Sequence, residues 1–269
     1  RSPYMPPVLS LTYNGHVLVN GEKVNMNDYV LSIPDLPCNL PVILIIGTSM
    51  SAGKTTAARM IIRQLCHMDL MVIGAKLTGS GRYQDILGMR DAGARFIFDF
   101  VDAGLPTTVC LEDKFKKALT HLLSRMAMVD ADVAVLEAGA SPLEPYNGRL
   151  AVEMIEKNVR FSVACASDPY AVVGLASAFG REPDVVAGAA ANTVAAIELV
   201  EALSGFKALN LMDRESQWEL RSMLKDALGL NTNMVNQEKL VDKREELNEK
   251  TAVMPPQIMS TDTNIQPPS

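Results

Sequence analysis

The hydrophobic and polar positions of this chain follow two different patterns. Residues 8–33 alternate apolar and polar side chains around Asn14-Gly15 and Asn20-Gly21, two dipeptides that favour tight hairpin turns. This pattern predicts a small β element. The run PVILIIG, residues 41–47, is continuously apolar, which is typical of a strand that is covered on both faces.

Strand-like and helix-like stretches then alternate through the centre of the chain. Short apolar runs bounded by turn residues predict strands, and longer runs with helical spacing predict helices. Their repeated alternation indicates an α/β fold of the doubly wound type, with a mostly parallel sheet and helices on both of its faces. The predicted strands are 42–47, 71–76, 96–100, 132–139, 160–167, 184–188 and 207–211, and the predicted helices are 54–67, one from about 84, 113–128, 149–157, 170–179, 193–204 and one ending near 228.

These patterns divide the chain into three predicted parts. Residues 1–37 form the small β element, which we interpret as the remnant of a larger N-terminal part because the chain begins with Arg1 rather than Met. Residues 38–230 form the α/β domain. Residues 231–269 are rich in Asn, Gln, Glu, Lys, Pro and Thr, which predicts a disordered tail.

The composition restricts the partners and the compartment. Of the 269 residues, 48% are hydrophobic, and 25 Lys plus Arg against 31 Asp plus Glu give a net charge of -6, which argues against a nucleic-acid or anionic-membrane partner. There is no apolar run of the roughly 18 residues that a membrane helix needs, and no secretory pattern at the N-terminus. The four cysteines show no paired short spacing, so we expect a cytoplasmic protein with reduced thiols.

The stretch after the first apolar run, GTSMSAGKTT, predicts a phosphate-binding loop. A strand, a Gly-rich turn and a helix in this order direct successive backbone N–H groups at one point, which forms an anion cradle. Lys54 would neutralise the β- and γ-phosphates, Thr55 would ligate Mg²⁺, and Thr56 would donate to the α-phosphate. The spacing is unusual, since five residues rather than four separate the first Gly from Gly-Lys-Thr. The residues predicted to bind the nucleotide here are Gly47, Thr48, Ser49, Met50, Ser51, Ala52, Gly53, Lys54, Thr55 and Thr56.

Phosphoryl chemistry needs an acidic metal ligand in addition to the Thr55 hydroxyl, and the ends of other predicted strands supply candidates. Glu137 stands where strand 132–139 ends, at the edge of the sheet that binds ligands in doubly wound folds. Lys76 ends strand 71–76 and would stabilise charge on a transferring phosphoryl group. Asp85 is a further candidate metal or substrate ligand. We therefore predict Lys54, Lys76 and Glu137 as catalytic residues, and Thr55, Glu137 and Asp85 as metal ligands.

Two polar loops at strand ends are candidates for substrate binding. DFVDAGLPTT contains Asp99, Asp102 and Thr107, and SPLEPYNGR follows the candidate metal acid. Loops in these positions commonly hold substrate groups, although Pro, Asn and Gly also make turns without any ligand. The predicted substrate residues are Thr78, Ser80, Asp102, Ser141, Tyr146 and Asn147.

The order of these motifs resembles a known branch of P-loop proteins. GTSMSAGKTT is similar to the loop of dethiobiotin synthetase and its relatives, which include the cobyrinic acid amide synthetases and the MinD-type ATPases. Lys76 in AKLTGSG, Glu137 in VLEAGAS and Asn192 in VVAGAAANT follow the order of that branch, and the resemblance implies that Asn192 recognises adenine. The chain departs from the synthetases at Ser49, where they carry Asp, and at Ala138 and Ala140, where they carry Gly.

A closer resemblance covers residues 40–215. With DFVDAGLPTT and EAGASPLEPYNG added, the motifs resemble the family of D-glutamate N-acetyltransferase-like proteins, whose members place a Rossmann-like half ahead of the P-loop half. Relatives hold their active site near a subunit interface, so the resemblance also implies a homodimer.

Three functions remain open on the sequence. The first is an ATP- and Mg²⁺-dependent enzyme that acts on a small carboxylate- or amine-containing metabolite, in the manner of a ligase or phosphotransferase. The second is an acyltransferase of the D-glutamate N-acetyltransferase type, with the loop binding a phosphorylated cofactor such as acetyl-CoA. The third is an NTPase switch or chaperone-like module that controls a protein partner. The sequence shows no Asn/Thr-Lys-x-Asp guanine motif, which favours adenine.

Overall fold

A computed structural model describes residues 12–139, 141 and 143–230 of the chain. The strands are β1 (Leu18–Val19), β2 (Glu22–Lys23), β3 (Val42–Gly47), β4 (Val72–Thr78), β5 (Phe96–Asp99), β6 (Val133–Ala138), β7 (Val159–Cys165) and β8 (Val185–Ala187). The helices are α1 (Lys54–Cys66), α2 (Tyr83–Asp91), α3 (Glu112–Ala127), α4 (Gly148–Ile155), α5 (Pro169–Phe179), α6 (Val194–Ser204) and α7 (Arg214–Ala227).

The centre of the fold is a parallel sheet of six strands in the order β5-β4-β6-β3-β7-β8. Strand β3, which delivers the Gly-rich loop, lies between β6 and β7, and all six of its residues are buried. Its continuous apolar run follows from this position, because a strand covered on both faces has no polar side. The predicted α/β class and parallel sheet are confirmed.

Helices cover both faces of the sheet. Ile43 and Ile45 of β3 face the layer that contains α1, α2 and α7, whereas Leu44 and Ile46 face α3, α4, α5 and α6. Each of these four side chains has no exposed surface, and truncating such a residue to Ala usually costs about 2–5 kcal/mol. The two apolar layers hold the carboxyl ends of the strands, and the loops that follow them, at one edge.

The N-terminal β element is smaller than the sequence pattern predicts. Only β1 and β2 pair, in antiparallel register around Asn20 and Gly21, which both have positive φ. This is the backbone that a two-residue hairpin turn requires. Within the described residues, no strands flank Asn14-Gly15.

The predicted strand 207–211 is wrong. Ala208 forms one isolated bridge with Val186, and the chain then turns because the Asn210 side chain accepts a hydrogen bond from the Met212 backbone N–H at 3.2 Å. Leu209 and Leu211 are buried, so the apolar pattern here results from burial and not from pairing with a neighbouring strand along the whole segment.

The three-part division stays a prediction. The chain separates into the units Arg1–Leu228 and Gly229–Ser269, and the second has only Gly229 and Leu230 among the described residues. The predicted disordered tail, 231–269, and the first residues of the predicted β element lie outside the description. In the part of the chain that is described, no helix combines the length and apolar character needed to cross a membrane.

Candidate functional site

The Gly-rich loop joins β3 to α1 and has the backbone of an anion cradle. Ser51 and Gly53 both have positive φ, 71° and 102°, and successive residues of unlike handedness turn N–H groups toward a common centre. Gly53 is also the residue before the first helical turn. A side chain is excluded there, since a Cβ on Gly53 would lie 2.9 Å from the Cα of Gly188.

Lys54 is the first residue of α1, and its side chain lies back across the loop. A Cβ on Gly47 would lie 2.8 Å from the Lys54 side chain, so a glycine is needed for this path. The Lys54 Nζ donates to the Ser49 carbonyl at 2.7 Å. Burial lowers the pKa of Lys54, while the charge of Glu137 acts in the opposite direction. Lys54 makes no salt bridge within the described residues, so a phosphate in the loop would supply the anion that this desolvated cation lacks.

Glu137 and Thr55 meet at the start of α1. The Thr55 hydroxyl donates to Glu137 Oε2 at 3.2 Å, and Glu137 is only 3% exposed. Burial raises the pKa of Glu137, which the positive charges of Lys54 and Lys76 partly oppose. A hydroxyl and a carboxylate are hard oxygen ligands, as Mg²⁺ prefers, and a cation beside them would stabilise the ionised carboxylate. The pair therefore fits the predicted magnesium site.

The metal would need further ligands. Across the described ranges, no group of three or more His, Cys, Asp or Glu side chains is arranged to hold a metal ion. Magnesium usually binds one or two protein oxygens and takes its remaining ligands from substrate phosphates and water. Thr55 and Glu137 are consistent with a metal that arrives together with a nucleotide, where it would neutralise charge on the phosphates.

A row of charged side chains extends from Glu137 across the sheet. Asp99 of β5 is in register with Lys76 of β4, and Lys76 is in register with Glu137 of β6. Register partners of parallel strands point to the same face, which here is the face of α1 and α2. The predicted catalytic residues Lys54, Lys76 and Glu137 are thus brought to one edge of the sheet.

Lys76 is held by the beginning of α2. Its Nζ lies 2.6 Å from Asp85 Oδ2 and donates to the Ser80 carbonyl at 3.0 Å. Asp85 neutralises this buried lysine and would have to leave the ion pair to bind a metal. Its role as a metal ligand stays a prediction.

Asp99 belongs to the charged row, although the sequence placed it only in a polar stretch. It is buried, and its Oδ1 has no hydrogen-bond partner among the described residues. Burial raises the pKa of Asp99 to about 6, Lys76 lowers it, and Asp102 raises it. Asp99 could have been proposed from the sequence, because it lies at the end of a predicted strand, where ligand-binding residues of such folds are found.

Three of the predicted substrate residues have internal hydrogen bonds. Thr78 donates to the Gly139 carbonyl at 2.9 Å. Asp102 accepts from the Asp99 backbone N–H and forms an ion pair with Arg125 at 3.2 Å. Asn147 donates to the carbonyls of Thr108 and Cys110 at 2.8 and 3.0 Å. These contacts hold the loops in place, and substrate binding by the three side chains stays a prediction.

Two of the remaining predicted substrate residues, Ser80 and Tyr146, lie near a buried threonine that the sequence did not reveal. Thr108 accepts from the Gly79 backbone N–H at 2.9 Å and donates to the Tyr146 carbonyl at 2.8 Å. It therefore joins the Gly-rich loop after β4 to the loop after β6. Ser80 is exposed beside this junction, and the Ser141 hydroxyl accepts from the Leu143 N–H at 3.2 Å.

Two turns connect the loop to the far half of the sheet. The Thr48 hydroxyl accepts from the Ser167 N–H at 3.2 Å, at the start of α5. A Cβ on Gly188 would overlap the Ala52 carbonyl, so the turn after β8 packs closely on the loop. Asn192 is exposed at the end of that turn, and its predicted role in adenine recognition is not tested by these contacts.

The parallel sheet, the Gly-rich loop and the lysine that opens α1 define a P-loop NTPase-like fold. No protein-family model matches the chain, and no curated protein matches it. Similar solved structures include HypB from Helicobacter pylori in complex with nickel, at 16% identity and TM-score 0.47 over 73% of this chain and 91% of that chain. Hydrogenase maturation factor HypB from Archaeoglobus fulgidus is similar at 16% identity and TM-score 0.48, over 71% of this chain and 91% of that one.

A third similar structure is the signal recognition particle 54 kDa protein from Aeropyrum pernix K1 in complex with GDP. It has 18% identity and a TM-score of 0.42, over 81% of this chain and 52% of that chain. At such identities and scores the three structures give no information about function. The fold assignment rests on the sheet and loop of the chain itself.

Proposed function

We propose that this chain binds a nucleoside triphosphate with Mg²⁺ in the loop 47–56 and uses it for phosphoryl chemistry. The observation that carries the proposal is the hydrogen bond from Thr55 to Glu137, beside Lys54 at the start of α1. Each element of a metal–phosphate site is present at one edge of the sheet: backbone donors, a lysine, a hydroxyl and a buried carboxylate.

The chemistry follows from the placement of these groups. Lys54 would exchange the Ser49 carbonyl for the β- and γ-phosphates, which pairs a desolvated cation with an anion. Thr55 and Glu137 would hold Mg²⁺, which neutralises charge on the phosphates during transfer. Because the donors are fixed by the helix and the sheet, little reorganisation is needed when charge develops.

A nucleotide-dependent switch is the first reading of what this chemistry serves. It is favoured by two contacts of the loop. Thr48 accepts a hydrogen bond from Ser167 in the turn before α5. Ala52 packs closely against Gly188 in the turn that precedes α6. A loop that changes shape around a γ-phosphate would move these turns, and a partner protein would detect the change.

An enzyme acting on a small carboxylate or amine is the second reading. The observation that favours it is the ion pair of Lys76 with Asp85 beside the buried Asp99, since these charges exceed what a bound nucleotide requires. The order of Lys76, Glu137 and Asn192 supports a place in the dethiobiotin synthetase and MinD-like branch. Acyl transfer from acetyl-CoA rests on the family resemblance alone.

Nucleotide binding is tested by titrating the full chain with ATP, GTP and acetyl-CoA in the presence of Mg²⁺. We expect saturable binding of a nucleoside triphosphate, weakened by Lys54→Ala by about tenfold to a hundredfold, the effect of a lost charge-assisted hydrogen bond. Lys114→Ala, at an exposed position on α3, is the matched control and should bind as the parent does. Equal binding by Lys54→Ala and the parent, or binding of acetyl-CoA alone, would overturn the proposal.

Phosphate release separates the two readings. The switch predicts slow release from Mg-nucleotide that small acids and amines leave unchanged. The enzyme predicts release, or a phosphorylated product, that depends on one member of such a panel. In both cases Glu137→Gln should reduce the rate.

A further inference from the structure

A pocket lies between the end of α1 and the first turns of α7, and cationic and amide side chains surround it. Its volume is about 210 Å³, below the roughly 300 Å³ at which sites for drug-sized molecules begin, so it suits a small ligand. None of the described residues that line it is acidic, although the chain has a net charge of -6. The lining residues are Gln64, His67, Arg214, Gln217, Trp218 and Arg221.

Helix α7 places two arginines and a tryptophan on one face. Arg214, Trp218 and Arg221 are spaced i, i+4 and i+7, and residues with this spacing lie on the same side of a helix. The Arg221 guanidinium lies over the Trp218 ring, 4.8 Å from its centroid. Neither arginine forms an ion pair within the described ranges. The pocket therefore contains two cations that have no anionic partner in contact with them there.

Helix α1 fixes the orientation of Arg221. Gln64 is only 3% exposed, and its Oε1 accepts from the Arg221 Nε at 3.0 Å and from the Nη2 at 2.8 Å. His67 Nδ1 accepts from the same Nη2 at 3.1 Å, since a guanidinium has no acceptor. The third nitrogen, Nη1, donates to no protein group in the part of the chain that the structure describes. The guanidinium is thus oriented in advance, with one nitrogen left for a ligand.

We infer that this pocket binds a phosphate group. The contacts of Arg221 also tie α7 to α1, but an amide and an imidazole are not anions, and a half-buried guanidinium is best stabilised by an anion in contact with it. Two guanidinium groups each present a planar fork of donors, which matches an anion with several oxygens and two negative charges. Free phosphate and the phosphate of a small metabolite carry the same group.

This pocket is separate from the nucleotide site. Gln64 comes ten residues after Lys54 on α1, which is about 15 Å along the helix axis. A phosphate in the loop 47–56 cannot contact Arg214 or Arg221 at that distance. The inference therefore does not depend on nucleotide binding.

The fluorescence of Trp218 tests the inference, because this is the single tryptophan of the chain and it lines the pocket. The full chain is titrated with inorganic phosphate and, separately, with phenyl phosphate, while sodium chloride keeps the ionic strength constant. We expect a saturable change with both. Tighter binding of phenyl phosphate supports a phosphorylated metabolite as the source of the group, and tighter binding of inorganic phosphate supports the free ion.

Two variants should weaken this binding. Arg214→Gln and Arg221→Gln each remove a charge-assisted hydrogen bond and should raise the dissociation constant by about tenfold or more. Arg214 is exposed, so Arg214→Gln should keep the melting temperature of the parent. It therefore decides the question even where Arg221→Gln, which also loses the contact with Gln64, fails to fold.

Two controls separate the pocket from net charge and from the nucleotide loop. Arg90→Gln makes the same change in charge at an exposed site on α2 and should bind phosphate as the parent does. Lys54→Ala should keep the full response of Trp218, because it changes only the distant loop. A parent chain without a saturable response, an Arg214→Gln variant that binds as the parent does, or a response that disappears in Lys54→Ala would overturn the inference.

Discussion

At the scale of single residues, the site depends on charged side chains that are held away from water. Lys54, Lys76, Asp99 and Glu137 are all buried, and charges of this kind persist in proteins only where other charges or ligands compensate them. Such residues are expected to lower the stability of the free protein. They contribute favourably once a ligand of opposite charge binds beside them.

Replacing Glu137 by Gln should therefore stabilise the free protein while it weakens metal binding. Burial raises the pKa of Glu137 above its ordinary 4.5, so the stability that its protonated form contributes is lost as the pH rises through the folded-state pKa. Glutamine stays neutral and keeps that stability. In thermal melts with EDTA, Glu137→Gln should melt above the parent at pH 7.5, and the gap should close toward pH 4.

The exposed Glu156→Gln is the control for that experiment and should leave the melting temperature unchanged. A Glu137→Gln variant that melts below the parent at pH 7.5 would contradict the burial argument.

Asp99 gives a second pH dependence, with a defined range. Its pKa rises from 3.8 to about 6 on folding, so the parent should lose stability as the pH rises from about 4 through 6. This rise in pKa corresponds to about 3 kcal/mol, as an upper limit. Urea unfolding from pH 4.5 to 7.5 should show a flatter profile for Asp99→Asn than for the parent. The exposed Asp130→Asn should follow the parent, and a parallel profile for Asp99→Asn would refute the assignment.

At the scale of elements, close packing of turns against the phosphate loop determines its shape. Gly188 has a φ of 85°, and a Cβ there would overlap the Ala52 carbonyl. Gly205 has a φ of 71° and open space around it. Both substitutions by Ala carry the cost of a left-handed backbone, about 1 kcal/mol or more.

Gly188→Ala should in addition displace the loop, because the Ala52 carbonyl must move. We expect it to weaken nucleotide binding about tenfold, whereas Gly205→Ala lowers stability and leaves affinity unchanged. Calorimetric titration with Mg-nucleotide measures both. Equal affinities of the two variants would show that the turn after β8 does not shape the loop.

Thr108 provides the corresponding test for the loops after β4 and β6. Thr108→Val preserves the shape of the side chain but leaves the Gly79 N–H and the Tyr146 carbonyl without their partner, at an expected cost of about 1–3 kcal/mol. Thr120→Val on α3 removes a hydroxyl at a half-buried site and should cost much less. Urea unfolding measures the loss of unfolding free energy in each variant. Similar losses would contradict the conclusion that Thr108 joins the two loops.

The elements themselves were largely predictable from the sequence. The buried strand β3 is predicted by a continuous apolar run, because a strand covered on both faces has no polar positions. Helix α1 is predicted by the Gly-Lys-Thr sequence at its start. The segment 207–211 misled because its apolar residues are buried without pairing as a strand. Thr108 acts through Gly79, which is distant in sequence, and no local pattern predicts that contact. Asp99 could be recognised as a residue at the end of a predicted strand, but its register with Lys76 could not.

At the scale of the whole molecule, the parallel sheet brings distant segments to one edge. Thr55 and Glu137 are 82 positions apart, yet register and helix placement join them in one hydrogen bond. The sequence supplied the candidates because ligand groups in such folds follow strand ends. It did not predict that Tyr170 of α5 and Val194 of α6 are exposed, since an apolar helix has the same sequence pattern whether its side chains turn inward or outward.

The central claim is that Thr55 and Glu137 hold the metal of a bound nucleotide. The most direct test is the dissociation constant of the nucleoside triphosphate with Mg²⁺ and with EDTA, for the parent and for Glu137→Gln. We expect Mg²⁺ to tighten binding to the parent by about tenfold or more, and to tighten binding to Glu137→Gln far less. An affinity that is the same with and without Mg²⁺, or a Glu137→Gln variant that retains the full effect of the metal, would contradict the claim.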